Sequence, residues 1–339
     1  MRILITGSDK AHAIESLYAR YMKEQGAAIF FFPATSIFYN YYYKNIFNKL
    51  TYRAGISGVL GKINAAFINL VETCKPDVIW IFKGMEFFPE TLQLVKRKGI
   101  KLVNYNPDNP FIFSGKGSGN SNITNSVALY QLHFTYNLAT QQKLQQEYNA
   151  NTSFLPFGFD VRDELYSECL ALPETMKACF LGNPDIQRAS FIKELASTGI
   201  SIDVYGNDWS KFVTHKNIQV FPPVYNDQFW KVLRKYRVQI NLMRIHNEDS
   251  HNMRTFEIPG IGGIMVAPET TEHTLFFDNK KEAFFFRDVN ACSTIIRDLL
   301  RADTIDANII RDNARHKSVT AGYTYKERSE FALRRISQL

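Results

Sequence analysis

The residues best suited to chemistry stand late in the chain, in the stretch HNMRTFEIPGIGGIMVAP, His251 to Pro268. Arg254 and Glu257 lie three residues apart and share a helical face. The helix they sit on must stop at Pro259-Gly260, and a short apolar strand, Gly263 to Val266, follows at once. A guanidinium donates hydrogen bonds only, and an ionised carboxylate accepts them only. The two chemistries are therefore set side by side just ahead of a tight helix-to-strand turn. Other polar groups stand directly after apolar runs: Gly7-Ser8-Asp9, Lys83-Gly84, Asn106 to Pro110, Gly182-Asn183 and Tyr205-Gly206-Asn207.

The elements that position them read as alternating strands and helices. Strands are predicted at Arg2 to Thr6, Ala27 to Phe32, Asp77 to Phe82, Lys101 to Tyr105, Gln131 to Tyr136 and Thr152 to Leu155. The helices between them are Ala11 to Glu24, Pro89 to Lys98 and Ala139 to Tyr148. Asp77 to Phe82 is almost continuously apolar, as a strand buried on both faces must be. An irregular stretch from Pro156 to Pro173 reads as a linker. The alternation restarts with strands at Lys177 to Leu181, Ile200 to Tyr205, Val238 to Leu242 and Gly263 to Val266. Its helices are Gln187 to Ser197, Asn226 to Tyr236, Asp288 to Arg301, Thr304 to His316 and Tyr325 to Ile336.

Such alternation implies parallel sheets covered on both faces. Ligands in such sheets bind beyond the carboxyl ends of the strands, where the polar groups just named fall. The expected architecture is α/β, with two Rossmann-like domains facing a central cleft. The domains are 1–160 and 174–320, and a C-terminal helix in 321–339 crosses back to the first.

A chain of 339 residues fits about two domains. With 45% hydrophobic and 22% charged residues it has ordinary globular composition. The formal net charge of +7 favours anionic partners. No run of five or more basic residues occurs, so nucleic acid is not an expected partner. Cys74, Cys169, Cys179 and Cys292 form no C-x-x-C pair and read as reduced thiols of a cytoplasmic protein. No signal peptide is visible, and no apolar stretch approaches the roughly 20 residues of a membrane span.

The stretches KPDVIWIFKGMEFFPETL, KLVNYNPDNPF, HFTYNLATQQKLQQEY, FLPFGFD, FLGNPDIQRASFIKEL, VYGNDW, HNMRTFEIPGIGGIMVAP and GYTYKER cover, in that order, most of residues 77–330. As a series they resemble the GT-B glycosyltransferases of the CgeB-like, group 1 type. The region from Ile37 to Val71 matches that pattern poorly.

The resemblance implies that the second domain holds a nucleotide-sugar donor. Glu257 would take the ribose hydroxyls, since one carboxylate accepts from both. Gly262 and Gly263 would let backbone approach the ligand. Arg188, at a helix start, would pair with the pyrophosphate, helped by the helix N-terminus, with Arg254 as a second phosphate contact. Related retaining enzymes carry an acid eight residues before the ribose Glu; here that position is Asp249. Tyr205, Gly206 and Asn207, with Trp209 beyond, would meet the base. Asp108 is the candidate catalytic base on the acceptor side, with His12 as the alternative. No D-x-D motif occurs, and neither a metal nor another cofactor is implied.

Bland readings stand beside these. Glu257 can serve as a surface ion pair, and Arg254 can pair with Glu248 or Asp249. Asp108 can simply brace its Pro-flanked turn, and Trp209 can be core. Gly115 to Gly119 lacks phosphate-loop spacing and reads as a loop over the cleft. Ser36 to Arg53 is aromatic and basic. It suits either peripheral contact with the inner face of a membrane, near a glycan or lipid-linked acceptor, or a covering segment whose rings are core. The expected activity is transfer of a sugar from a nucleotide donor to a glycan, lipid-linked or protein acceptor, in surface polysaccharide or glycoconjugate synthesis. The alternatives are a nucleotide-sugar epimerase or hydrolase of the same fold, and a non-catalytic binding protein on such a scaffold.

Overall fold

The computed structural model describes residues 1–113, 117–244 and 249–339. The chain divides into two units, Met1–Pro156 with Tyr325–Leu339, and Phe157–Thr324.

Unit 1 is built on six strands: β1 (Arg2–Thr6), β2 (Ala28–Phe32), β3 (Val78–Phe82), β4 (Lys101–Asn106), β5 (Leu132–Thr135) and β6 (Thr152–Phe154). All pair in parallel, in the order β2-β1-β3-β4-β5-β6. The strand order reverses beside β1, which makes the ends of β1 and β3 a switch point, where such sheets form crevices. β3 is buried along its whole length, the reason for its unbroken apolar sequence. Helix Tyr325–Ser337 packs on helix Ile14–Glu24, with Tyr325 edge-on to Tyr18 at 5.6 Å.

Unit 2 repeats the plan with β7 (Thr175–Leu181), β8 (Ile202–Tyr205), β9 (Ile218–Phe221), β10 (Tyr236–Ile240), β11 (Met265–Pro268) and β12 (Phe284–Phe286). Their order, β12-β11-β10-β7-β8-β9, is the doubly wound one, with its switch point between β7 and β10. Ile192, Val204, Val238, Ile264 and Ile296 are among its fully buried core residues. Each such side chain contributes about 1.5–3 kcal/mol relative to exposure.

Three expectations need correction. The stretch from Pro156 to Pro173 is not wholly irregular, since it holds helix Asp163–Leu170, anchored by buried Leu165 and Cys169 one turn apart. β9 escapes sequence reading because it is a half-exposed edge strand with no buried face. Between β2 and β3 the chain forms three helices, Ala34–Tyr42, Ile46–Arg53 and Val59–Cys74. In the first, Phe38 and Tyr42 are buried and stack at 5.5 Å. The two readings of 36–53 thus divide by residue, as some rings are core and others are exposed.

All four cysteines are buried free thiols. No helix among the described residues is long and apolar enough to cross a membrane. The stretch Gly115 to Gly119 and the acid Glu248 fall wholly or partly outside the described residues.

Candidate active site

At the switch point of unit 2, β7 ends in Leu181-Gly182-Asn183, and the chain leaves β10 through Asn241 to Arg244. Asp185 starts the helix Ile186–Ser197 by accepting from the Arg188 N–H at 2.9 Å. That cap turns the Arg188 side chain back across the strand ends. Its guanidinium donates to the carbonyls of Leu242 (2.8 Å), Asn183 (3.2 Å) and Met243 (3.4 Å). Three of the five N–H donors of a guanidinium are thereby used to tie the end of β7 to the end of β10.

Burial pushes the Arg188 pKa down to about 10, and the positive charges of Arg244 and Arg254 add to that, against the opposing pull of Asp185. Three guanidiniums thus crowd one pair of strand ends, a grouping that an anion would relieve. Arg244 was not among the residues picked from sequence. Its signal was its place just past the apolar run ending at Leu242, the same strand-end rule that found the others.

A short turn, Ile261 to Ile264, joins helix Arg254–Gly260 to β11, which begins at Met265 rather than at the expected Gly263. Arg254 pairs with Glu257 one turn on, taking a single carboxylate oxygen. Its Nε donates to the Leu181 carbonyl at 3.1 Å, and its guanidinium lies 4.4 Å from the centre of the Phe229 ring. Arg254 and Arg188 therefore both reach the end of β7, from different helices. Both members of the ion pair are largely buried, Glu257 the more so. Of the expected alternatives for Arg254, Asp249 is engaged elsewhere.

Asp249 accepts from the Thr271 N–H (2.6 Å) and hydroxyl (2.8 Å). Its carboxylate thereby takes the first N–H of helix Thr271–Phe276, whose N-cap is Thr270. It borders a concavity of about 300 Å³ that Arg188, Met243, Thr270 and Phe286 also line.

The stretch following β8 divides. Tyr205 is buried, stacked on Phe221 at 4.8 Å, and its hydroxyl joins a chain through Tyr236 to Asp203. Trp209 is fully buried, with Nε1 donating to the Gly182 carbonyl at 2.7 Å. Both rings are packed into unit 2, so neither is presented for stacking. Asn207 stays exposed, with its N–H on Asn183 Oδ1 at 2.9 Å. Gly206 sits where a Cβ would come within 2.4 Å of the Gly182 carbonyl oxygen, so two strand ends meet only because it is glycine.

Gly262 has φ of +70°, which other residues rarely adopt, and Gly263 leaves no room for a Cβ beside Gln239 and Ile258. A Cβ at Gly262 would meet Tyr166 and Arg234 only at ordinary contact distance, 3.7–3.8 Å, so its demand for glycine comes from the backbone.

In unit 1, Asp108 is exposed and accepts from Lys83 Nζ at 3.0 Å. Its own N–H is held by Asn106 Oδ1 at 3.0 Å, which shapes the turn. His12 is exposed in the turn before helix Ile14–Glu24. Sequence reading missed two acids here. Glu15 accepts from the Ser8 N–H at 3.1 Å, and burial raises its pKa. Glu86, fully buried, accepts from Thr35 Oγ1 at 2.9 Å, while its Oε2 has no hydrogen bond. Burial pushes Glu86 up to about 7, despite Thr35 and Lys83. Glu86 stands three residues past Lys83, a strand-end position already singled out. Among the described residues no group of three or more His, Cys, Asp or Glu side chains could hold a metal ion.

Residues 187–334 match a family model described as glycosyl transferase-like. Sucrose-phosphate synthase from Thermosynechococcus elongatus superposes with a TM-score of 0.69 at 9% identity, over 100% of this chain and 98% of that one. HepE from Anabaena, in complex with UDP-glucose, superposes with a TM-score of 0.67 at 13% identity, over 100% of both chains. The chain has the GT-B fold, and residues 187–334 carry a glycosyl transferase-like match. A glycosyltransferase from Rickettsia africae also matches, with a TM-score of 0.64 at 13% identity over 98% and 97% of the two chains. No curated protein matches in sequence. At these identities the structures speak for the fold, and the family model for the transferase domain. The residues matched by the family model include Arg188, Arg254 and Glu257.

Proposed function

We propose that the enzyme moves a sugar from a nucleotide-sugar donor held by unit 2 to a glycan, lipid-linked or protein acceptor, in surface polysaccharide or glycoconjugate synthesis. One observation carries the donor reading. Arg188 and Arg254 gather at the ends of β7 and β10 with Arg244 acting on Arg188, and Glu257 is paired with Arg254. The guanidiniums suit a diphosphate, whose charge grows as the glycosidic bond breaks, and they stabilise it without a metal. Glu257 keeps one carboxylate oxygen clear of Arg254 to accept from a ribose hydroxyl. Asn207 and Gly206 border the base, and Asp108, or else His12, takes the proton of the acceptor hydroxyl. The enzyme works in the cytoplasm, with residues 36–53 meeting the inner face of the membrane.

The HepE structure contains UDP-glucose, so uridine nucleotides are the first to test. In a thermal-shift panel of UDP, GDP, CMP, ADP and dTDP, the matching nucleotide at 100 times its Kd stabilises by about 2.7 kcal/mol. A panel without any shift would reject the donor reading. Transfer should persist in EDTA; loss of activity that Mn²⁺ or Mg²⁺ restores would show that a metal stabilises the leaving group. Incubation with donor alone separates transfer from epimerisation, which needs no acceptor.

A further inference from the structure

Helix Ile46–Arg53 is turned inside out. Its polar side chains face the protein: Asn48 Nδ2 donates to the Tyr41 carbonyl at 2.8 Å, and Thr51 Oγ1 bonds the Tyr41 hydroxyl at 2.9 Å. Tyr52 packs edge-on against Phe38 at 4.9 Å. Its apolar side chains face out: Ile46 is 68% exposed, Phe47 69% and Leu50 54%. At 3.6 residues per turn these three form one stripe, with Lys49 and Arg53 along its edge. Tyr43 before the helix and Ile56 after it extend the exposed surface, at 63% and 76%. An amphipathic helix on a globular domain normally has the opposite sense.

The charge around this stripe selects its partner. No Asp or Glu occurs between Glu24 and Glu72, while Lys44, Lys49, Arg53 and Lys62 all fall there. A second copy of the chain would bring two such basic surfaces face to face. An anionic lipid surface instead offers hydrocarbon to Ile46, Phe47 and Leu50 and phosphate to the four cations. We infer that helix Ile46–Arg53 inserts its outer face into the headgroup boundary of an anionic membrane and holds unit 1 there. This deepens the proposed membrane contact by naming the inserting face and the lipid class. It does not depend on the donor site.

The test is co-sedimentation of the full chain with vesicles of equal parts phosphatidylglycerol and phosphatidylcholine, against pure phosphatidylcholine. The chain should bind the anionic vesicles at low salt, bind the neutral ones at least about tenfold more weakly, and release as salt rises past the Debye regime. The triple variant Ile46→Ser, Phe47→Ser, Leu50→Ser should lose binding at least about tenfold while keeping its melting temperature and nucleotide shift, because none of the three is buried. Lys49→Glu with Arg53→Glu should abolish the preference for anionic lipid. Equal binding by wild type and triple variant would overturn the inference. So would a wild-type dimer that the triple variant converts to monomer, or capture of an acidic protein without vesicle binding. A failed nucleotide shift with intact vesicle binding would strike the donor reading alone.

Discussion

Arg254 and Glu257 form an ion pair within one helical turn, and the same guanidinium also donates to the last carbonyl of β7, at Leu181, 3.1 Å away. The pair is thus aimed at the switch point of the sheet rather than along its own helix. Glu257→Gln removes the charge and keeps the shape. Nucleotide binding should weaken by roughly 1.5–3 kcal/mol, the range for a charge-assisted hydrogen bond. The stability of the unliganded protein should fall as well, by about 1–3 kcal/mol, because the pair is largely buried, although Arg254 keeps its carbonyl and ring contacts. Calorimetry showing unchanged nucleotide affinity would remove Glu257 from the site.

Asp108→Asn separates catalysis from bracing. An amide can still fill the turn, but it cannot accept a proton. Turnover should drop by at least about 10²-fold, the lower range for a positioned base. Donor affinity should stay within about threefold, since the donor residues all belong to unit 2. The Lys83 pair is exposed on the Asp108 side and contributes about 0–1 kcal/mol, so the fold should survive. Near-normal turnover would shift the base to His12, and a loss of folding would assign Asp108 to its turn alone.

Glu86 predicts a pH dependence. Its pKa in the fold, about 7, lies above the ordinary 4.5 because burial disfavours the charged form. The stability of its neutral form is fully present below about pH 4.5 and is lost as pH rises through about 7. Against Glu86→Gln, which cannot ionise, the wild type should be equal near pH 4.5. It should be less stable above pH 7 by up to about 3 kcal/mol. Parallel melting curves of the two proteins across pH 4.5–8.5 would count against the burial account.

Glu174 anchors the opposite end of the unit 2 sheet. Its carboxylate is held by Arg237 and Arg311, and Arg237 is itself 2% exposed. Glu174→Ala removes the counter-charge of both guanidiniums, which keep only neutral oxygen acceptors, and should cost about 3–5 kcal/mol. Nucleotide affinity of the fraction still folded should be unchanged, because Glu174 precedes β7 whereas the candidate site follows it. A large loss of affinity at temperatures where the variant is folded would mean that the strand ends are less independent than the sheet suggests.

Much of the architecture was legible in sequence because its causes are local. The continuous apolar run of β3 and the helix start at Arg188 depend on neighbours within a few residues, and so does the Pro259-Gly260 stop before β11. The polar groups after each strand followed from the same reading, and the resemblance singled out Glu257 among them. Tertiary structure decided where side chains point. Arg188 and Arg254, 66 residues apart, reach one pair of strand ends from different helices only because β7 and β10 are neighbours in the sheet. Tyr205 was expected to meet the base, with Trp209 beyond it or in the core; in the fold Phe221, Tyr236 and Gly182 enclose both rings. The burial that raises Glu86 comes from packed elements distant in sequence, and so does the contact with Tyr41 that turns Ile46, Phe47 and Leu50 outward. Periodicity reports that a helix has two faces; what lies against each is set by the rest of the fold.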